Sequence, residues 1–235
     1  MTVEGLSAWL LHARRGKGSS TEVFFFTHES GLVRAFCSQG RRSHMRATLQ
    51  PFTPLWLTLK TKHYGVYADK VEVKAPAKLL AGEQMFAGLY LNELLYRMLK
   101  PEAAEPRLYA LYEYSIDGLL SVKTPEALQQ LLRRFEFKLI DFLGYGVSFT
   151  RESEHSTPIL PHQSYEFNPN AGFTISDEGL QGTDILAIAA GKLDTKSALK
   201  TAKYIMRIAI DNILEGAEIY TRVLYQTQLK GRTNA

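Results

Sequence analysis

The sequence predicts an α+β chain: a small closed β-barrel, then a helical domain with a small hairpin-containing subdomain towards the C-terminal end. Three observations predict it. Up to about residue 74 the apolar residues recur with a period of two. From about residue 80 they recur at helical spacing. Charge divides at nearly the same place: residues 1–74 hold 11 Lys/Arg against 5 Asp/Glu, and the remainder holds 17 against 19. We therefore expect a basic first domain over 1–79 and a helical domain over 80–235, with an irregular hairpin subdomain around 151–191. That asymmetry points to a polyanion-binding module joined to a module with other duties.

Five strands are predicted in the first domain. Leu6–Ala13 opens it, and Ser20–Thr27 follows with Phe24, Phe25 and Phe26 side by side. Glu29-Ser30-Gly31 marks a turn into Leu32–Ser38. In Leu55–Lys62, Leu55, Leu57 and Leu59 point one way and Trp56, Thr58 and Lys60 the other. Tyr64–Lys74 repeats this, with Val71 and Val73 opposite Lys70, Glu72 and Lys74. Short strands with one basic and aromatic face make an OB-fold the leading candidate, and its grooves commonly bind single strands.

The cations that would supply this binding are Arg14, Arg15, Lys17, Arg34, Lys60 and Lys62 on the barrel, and Arg41, Arg42 and Arg46 in the long connection Gly40–Pro54. Cations so placed suit phosphate contacts; the competing reading of the connection is a solvated loop. Phe24, Phe26, Trp56 and Tyr67 are candidates for stacking on bases, although some must fill the barrel instead.

Helices follow over Glu83–Leu99, ending before Pro101, and over Arg107–Leu120, which is rich in Tyr. The third is the longest. Thr124 suits its N-cap, Pro125 its first position, and Gly144 a left-handed stop. Its broad apolar face runs from Leu128 through Phe135 and Leu139 to Leu143. On the opposite side Arg133, Phe137 and Ile140 share a stripe. Exposed, that stripe would suit an acidic peptide with an apolar anchor; otherwise Phe137 and Ile140 pack on another helix with Arg133 at the rim. In the irregular region, Tyr165–Phe167 and Phe173–Ile175 flank a hairpin signal at Asn168–Gly172. Asp194 or Thr195 can cap a helix over Lys196–Leu214, whose Lys196, Lys200, Lys203 and Arg207 form one basic stripe. A shorter helix is expected over Glu215–Gln228.

Several classes of function find no support. The one cysteine, Cys37, lies in an alternating apolar stretch; it excludes an intramolecular disulfide and a zinc site built on several thiolates. His155 and His162 lie seven apart and are weak metal candidates; no cofactor is expected. Arg15–Ser20 lacks the spacing of a phosphate loop, and no helical pattern follows it. No residues show the spacing of a catalytic constellation, so an enzyme is not expected. No apolar run is long enough to span a bilayer, and the start of the chain lacks the pattern of a signal peptide. A cytoplasmic, nucleoid-associated protein is the expectation.

The stretch LRRFEFKLIDFLGYGVSF (132–149) resembles the RecO recombination-mediator family of bacterial DNA repair. LQPFTPLWL (Leu49–Leu57) resembles that family's signature at the end of the basic barrel loop, and GLYLNELL (Gly88–Leu95) its first long helix. The C-terminal Gly216, Arg222 and Leu224 pattern is similar to its last helix. The resemblance implies an N-terminal OB-fold, a helical domain and a small subdomain. It implies binding of single- and double-stranded DNA, annealing of complementary strands, and engagement of the acidic, Phe-ended tail of single-stranded-DNA-binding protein. It further implies help, with the partner RecR, in loading RecA. Arg133 matches the family arginine associated with the tail, with Phe137 and Ile140 as the expected slot for its Phe. Many relatives carry a four-cysteine zinc site after the central helix. This chain has none there and resembles the zinc-less branch, so its hairpin is expected to hold by packing alone. The rival from another class is a protein-interaction adaptor whose barrel does not bind DNA.

Overall fold

A computed structural model describes residues 1–15, 20–37, 48–101 and 103–233. Five strands form a closed barrel in the order β1-β2-β3-β5-β4, as the OB-fold expectation requires: β1 Thr2–Arg15, β2 Thr21–Thr27, β3 Gly31–Cys37, β4 Pro54–Lys62 and β5 Gly65–Val73. Closure needs one strand to pair on both sides, and β1 does so. It extends beyond the predicted segment, pairing with β4 over Thr2–Trp9 and with β2 over Ala8–Arg15. Register shifts at Val3/Leu6 and Leu10/His12 allow the bend between the two partners. Alternation then fills the interior: Leu10 faces Phe25 in register, and Leu55, Leu57 and Leu59 are all buried. Val73 breaks the expected pattern; at the end of β5 it is exposed.

The same alternation sends Phe24 and Phe26 out of the barrel, but not into solvent. Helices α1 (Gly82–Met98) and α2 (Pro106–Ser121) cover them. Phe24 meets Tyr96 edge-on at 4.6 Å between ring centroids, and Phe26 meets Tyr109 at 5.4 Å and Tyr112 at 6.0 Å. Both are therefore packing residues, not base-stacking ones. A polar side chain joins the elements of this apolar layer. Asn92 donates to the Leu10 carbonyl at 3.3 Å and accepts from the Tyr112 hydroxyl at 2.6 Å, so β1, α1 and α2 meet on a single amide. Close backbone approach fixes the far side: a Cβ at Gly31 (φ +65) would lie 2.1 Å from the Ala103 carbonyl oxygen. Phe52, buried with a positive φ of 60, rests on α1 at Gly88, where a Cβ would come within 2.7 Å of its ring.

The chain forms two compact units, Met1–Val122 with the stretch from Ile219, and Lys123–Glu218. The last helix, which we label α6 (Tyr220–Thr233), belongs to the first unit. It starts later than predicted, because Glu215 and Gly216 take left-handed backbone. Glu93 of α1 accepts hydrogen bonds from the Tyr220 and Thr221 amides and the Thr221 hydroxyl, at 2.9, 2.8 and 2.8 Å. That satisfies N–H groups that a helix start leaves open.

In the second unit, α3 (Pro125–Phe142) begins and ends as its sequence predicts. Thr124 accepts from the Ala127 amide at 3.1 Å, and Gly144 has φ +80. Strands β6 (Ser164–Asn168) and β7 (Gly172–Ser176) form the expected hairpin, with a short β8 (Leu180–Gln181) beside β6. Helix α4 (Gly182–Ala189) was not legible, and α5 (Lys196–Ile213) is capped by Thr195.

The hairpin does not hold by packing alone. Phe173 is fully buried between Phe149 and Phe167, and its carbonyl accepts from the Ser153 amide at 2.7 Å and the Ser153 hydroxyl at 2.9 Å. Next to Ser153 the Glu152 carboxylate accepts from the Glu154, His155 and Thr157 amides and the Thr157 hydroxyl, at 2.7–3.1 Å. Desolvation pushes this carboxyl up, but the four donors outweigh it and hold it below the usual carboxylate range. A carboxylate thus organises the loop Glu152–Thr157. Among the described residues no group of three or more His, Cys, Asp or Glu could hold a metal.

Candidate nucleic-acid interface

The barrel strands carry two kinds of outward side chain, and cross-strand register decides which meet. Arg14 faces Glu22 across β1 and β2, and Arg34 lies diagonal to Glu22 across β2 and β3. Both guanidinium groups donate through Nε to Glu22, one to each carboxylate oxygen. Glu22 is only 4% exposed, whereas the side chains of Arg14 and Arg34 remain 52% and 58% exposed. The Arg14 guanidinium also lies 5.4 Å from the Phe24 ring centroid, and that of Arg34 5.4 Å from Phe36. Sequence reasoning found both arginines and missed Glu22. A carboxylate in an alternating strand reads as solvated, and the signal that could have found it is the opposite charge on both neighbouring strands.

Next to this group, Phe36 pairs in register with Tyr67, their rings 5.9 Å apart and both half-buried. Lys62 Nζ lies 5.0 Å from the Tyr67 ring, and Lys60 pairs with Asp69 at 2.8 Å. Arg15 is exposed at the end of β1. Between β4 and β5 the turn carries His63 and a 90% exposed Tyr64. Trp56 is 39% exposed, with Lys74 Nζ 4.5 Å above its ring and 2.9 Å from the Ser7 hydroxyl. Of the stacking candidates, Trp56 and Tyr67 thus stay partly exposed, each with a lysine over its ring. Lys17, Arg41, Arg42 and Arg46 lie outside the described residues. His12, stacked on Tyr96 at 4.6 Å, has its pKa lowered by burial first and by Arg14 second, so it adds no charge at neutral pH. Burial raises the Cys37 thiol to about 11, which makes it inert as a nucleophile.

The stripe on α3 is not an exposed groove. Arg133 is 8% exposed and pairs with Glu136 one turn away at 2.6 Å. Ile140 is buried, and Phe137 is half-buried with its ring 5.2 Å edge-on from Phe149. The three residues do share one side of the helix, but Arg133 and Ile140 are buried there and Phe137 is half-buried. Helix α5 presents Lys196, Lys200, Lys203 and Arg207 to solvent, with Asp211 3.8 Å from Arg207.

Comparison with known proteins fits a barrel followed by helices. Residues 1–73 match the family described as Recombination protein O N terminal, and residues 80–218 match Recombination protein O C terminal. The DNA repair protein RecO of Legionella pneumophila strain Corby is 37% identical over 226 residues, covering 96% of this chain and 99% of that protein. That of Glaesserella parasuis serovar 5 is 34% identical over 236 residues, covering 95% of each. That of Actinobacillus pleuropneumoniae serotype 3 is 33% identical over 236 residues, again covering 95% of each. These relatives are named as repair proteins, and no helix among the described residues is long and apolar enough to cross a membrane. With the barrel closed in the expected order and family models matched over residues 1–73 and 80–218, the chain belongs to the RecO family of DNA repair and recombination proteins.

Proposed function

We propose that this protein is a non-enzymatic recombination mediator that binds single- and double-stranded DNA through its barrel and anneals complementary strands. The observation that carries the reading is the outward barrel surface, where Arg14, Arg34 and Lys62 alternate with Phe36 and Tyr67. Cations neutralise phosphates and aromatic faces receive bases, which together hold a strand without reading its sequence. Neutralised strands repel each other less, and that is how such a surface promotes annealing. In the same reading the protein engages the acidic tail of single-stranded-DNA-binding protein and acts with RecR to load RecA, working at the nucleoid in the cytoplasm.

Arg133, Phe137 and Ile140 are the residues we assign to the tail. Arg133 is tied to Glu136 through one Nη, so a tail carboxylate would meet the donors that this contact leaves.

A titration of fluorescent single-stranded DNA at several salt concentrations tests the reading. With about six phosphates neutralised, log K falls with log salt with a slope near −4 to −5. Replacing Arg41, Arg42 and Arg46 together by Ala flattens it by about 2. A salt-independent or absent interaction would favour the adaptor.

A further inference from the structure

We propose that Glu22 is a positioning residue that fixes Arg14 and Arg34 as a paired clamp for a backbone phosphate of a nucleic-acid strand. The inference rests on the reading that the barrel binds DNA. It deepens that reading by naming a site and by giving a carboxylate a positive part in binding an anion.

Three features build the clamp. The first is depth: the carboxylate lies beneath and is almost wholly buried, whereas both arginine side chains are about half exposed. An approaching anion meets the guanidinium groups before it meets Glu22. The second is the atoms used. Each arginine is tied down through Nε alone. Among the described residues, the two Nη groups of each make no hydrogen bond, so donors remain for oxygens above. The third is orientation. Phe24 lies under one guanidinium and Phe36 under the other, each at 5.4 Å, so the two planes are held from below. An arginine fixed in this way loses less side-chain freedom when it binds. Its planar fork matches phosphate oxygens in a way a point charge cannot.

The surroundings favour a nucleic-acid strand over an acidic peptide. Phe36 leads on to Tyr67, and Lys62 lies over Tyr67. Cation and ring alternate along the surface as phosphate and base alternate along a strand. Arg15 extends the charge at the end of β1. The three-residue group itself carries a net charge of only about +1, so its value to a strand lies in geometry more than in charge.

This gives a test in which charge and geometry predict opposite signs. Affinity for a fluorescent oligothymidylate and for an acidic peptide is measured on the full chain, well below its melting temperature. The proteins are the parent, Glu22→Gln, the Arg14→Lys/Arg34→Lys pair, and the three changes combined. Glu22→Gln removes a negative charge yet weakens oligothymidylate binding by about threefold to tenfold. The lysine pair keeps the net charge and weakens binding to a similar degree. The combined variant is no weaker than either, because each change disables the same clamp. Tighter or equal binding by Glu22→Gln, parental affinity in the lysine pair, or additive losses would overturn the inference while leaving the barrel reading intact. A loss confined to the peptide would assign the clamp to a protein partner and overturn it too. If the parent binds no DNA at all, the reading beneath fails and takes the clamp with it. Should Glu22→Gln not fold, the lysine pair decides alone, since it leaves Glu22 in place.

Discussion

Replacing Tyr112 by Phe removes one oxygen from the first unit and leaves the ring that packs on Trp9 and Phe26. The lost hydroxyl donates to Asn92 Oδ1 at 2.6 Å, and Tyr112 and Asn92 are 0% and 2% exposed. Water therefore has little access to the amide oxygen once its donor is gone. A buried acceptor left without a partner costs about 1–3 kcal/mol, and burial this complete places the cost near ~2 kcal/mol. For a chain of this length each kcal/mol moves the melting temperature by about 2–4 °C, so the variant melts about 4–8 °C lower. Asn92→Leu should cost a similar amount, because it strands both the Tyr112 hydroxyl and the Leu10 carbonyl. The two substitutions share one interaction, so the double variant loses less than the sum, by about 1 kcal/mol or more. Melting curves of the four proteins complete the cycle. A Tyr112→Phe protein melting within about 1 °C of the parent, or a strictly additive cycle, would show that the amide does not join strand and helices as described.

Other outcomes follow from the same reasoning. The guanidinium of Arg14 holds the Glu22 carboxyl below its ordinary value near 4.5; burial opposes this and Arg34 adds to it. A depressed folded pKa gives stability that is present above about pH 4.5 and lost as pH falls through the folded value, so Glu22→Gln should show a shallower acid limb in melting temperature against pH than the parent. Gly31→Ala should destabilise by about 2–5 kcal/mol, from left-handed backbone plus overlap with the Ala103 carbonyl, measured by denaturant unfolding. Arg133→Ala should weaken binding of an acidic Phe-ended peptide by more than about tenfold in fluorescence anisotropy, and unchanged affinity in a folded protein would remove α3 from the tail site. Iodoacetamide at pH 8 should modify Cys37 slowly in the native protein and rapidly after unfolding, since burial sets its thiol to about 11.

Local rules made much of this fold legible. Thr124, Pro125 and Gly144 mark the ends of α3 because caps act within one turn. Leu55, Leu57 and Leu59 reveal the inner face of β4 because strand alternation is strict. The same alternation misleads at Phe24 and Phe26: it tells which residues leave the barrel, not that α1 and α2 will cover them. Helix α4 is too short to show a periodic face. Glu22 and Glu152 were invisible for a shared reason. A lone carboxylate looks solvated until the chain brings its donors, from two other strands in one case and from a tight loop in the other. At Arg133 the residue and its side of the helix are legible from helical spacing. Its burial depends on tertiary packing, which helical spacing does not encode.

Glu93 has a consequence in time as well as in space. Its carboxylate receives amides from Tyr220 and Thr221, so residues 123–218 are an insertion spliced into the first unit. During synthesis the barrel and its first two helices emerge early, but the element that covers Phe86 and engages Glu83 through Tyr225 arrives only after the whole insertion has been made. At roughly 5–20 residues per second that interval is on the order of ten seconds. The inserted unit can close during the wait, because all its segments are then present. The first unit must meanwhile wait with the side of its first helix at Phe86 uncovered.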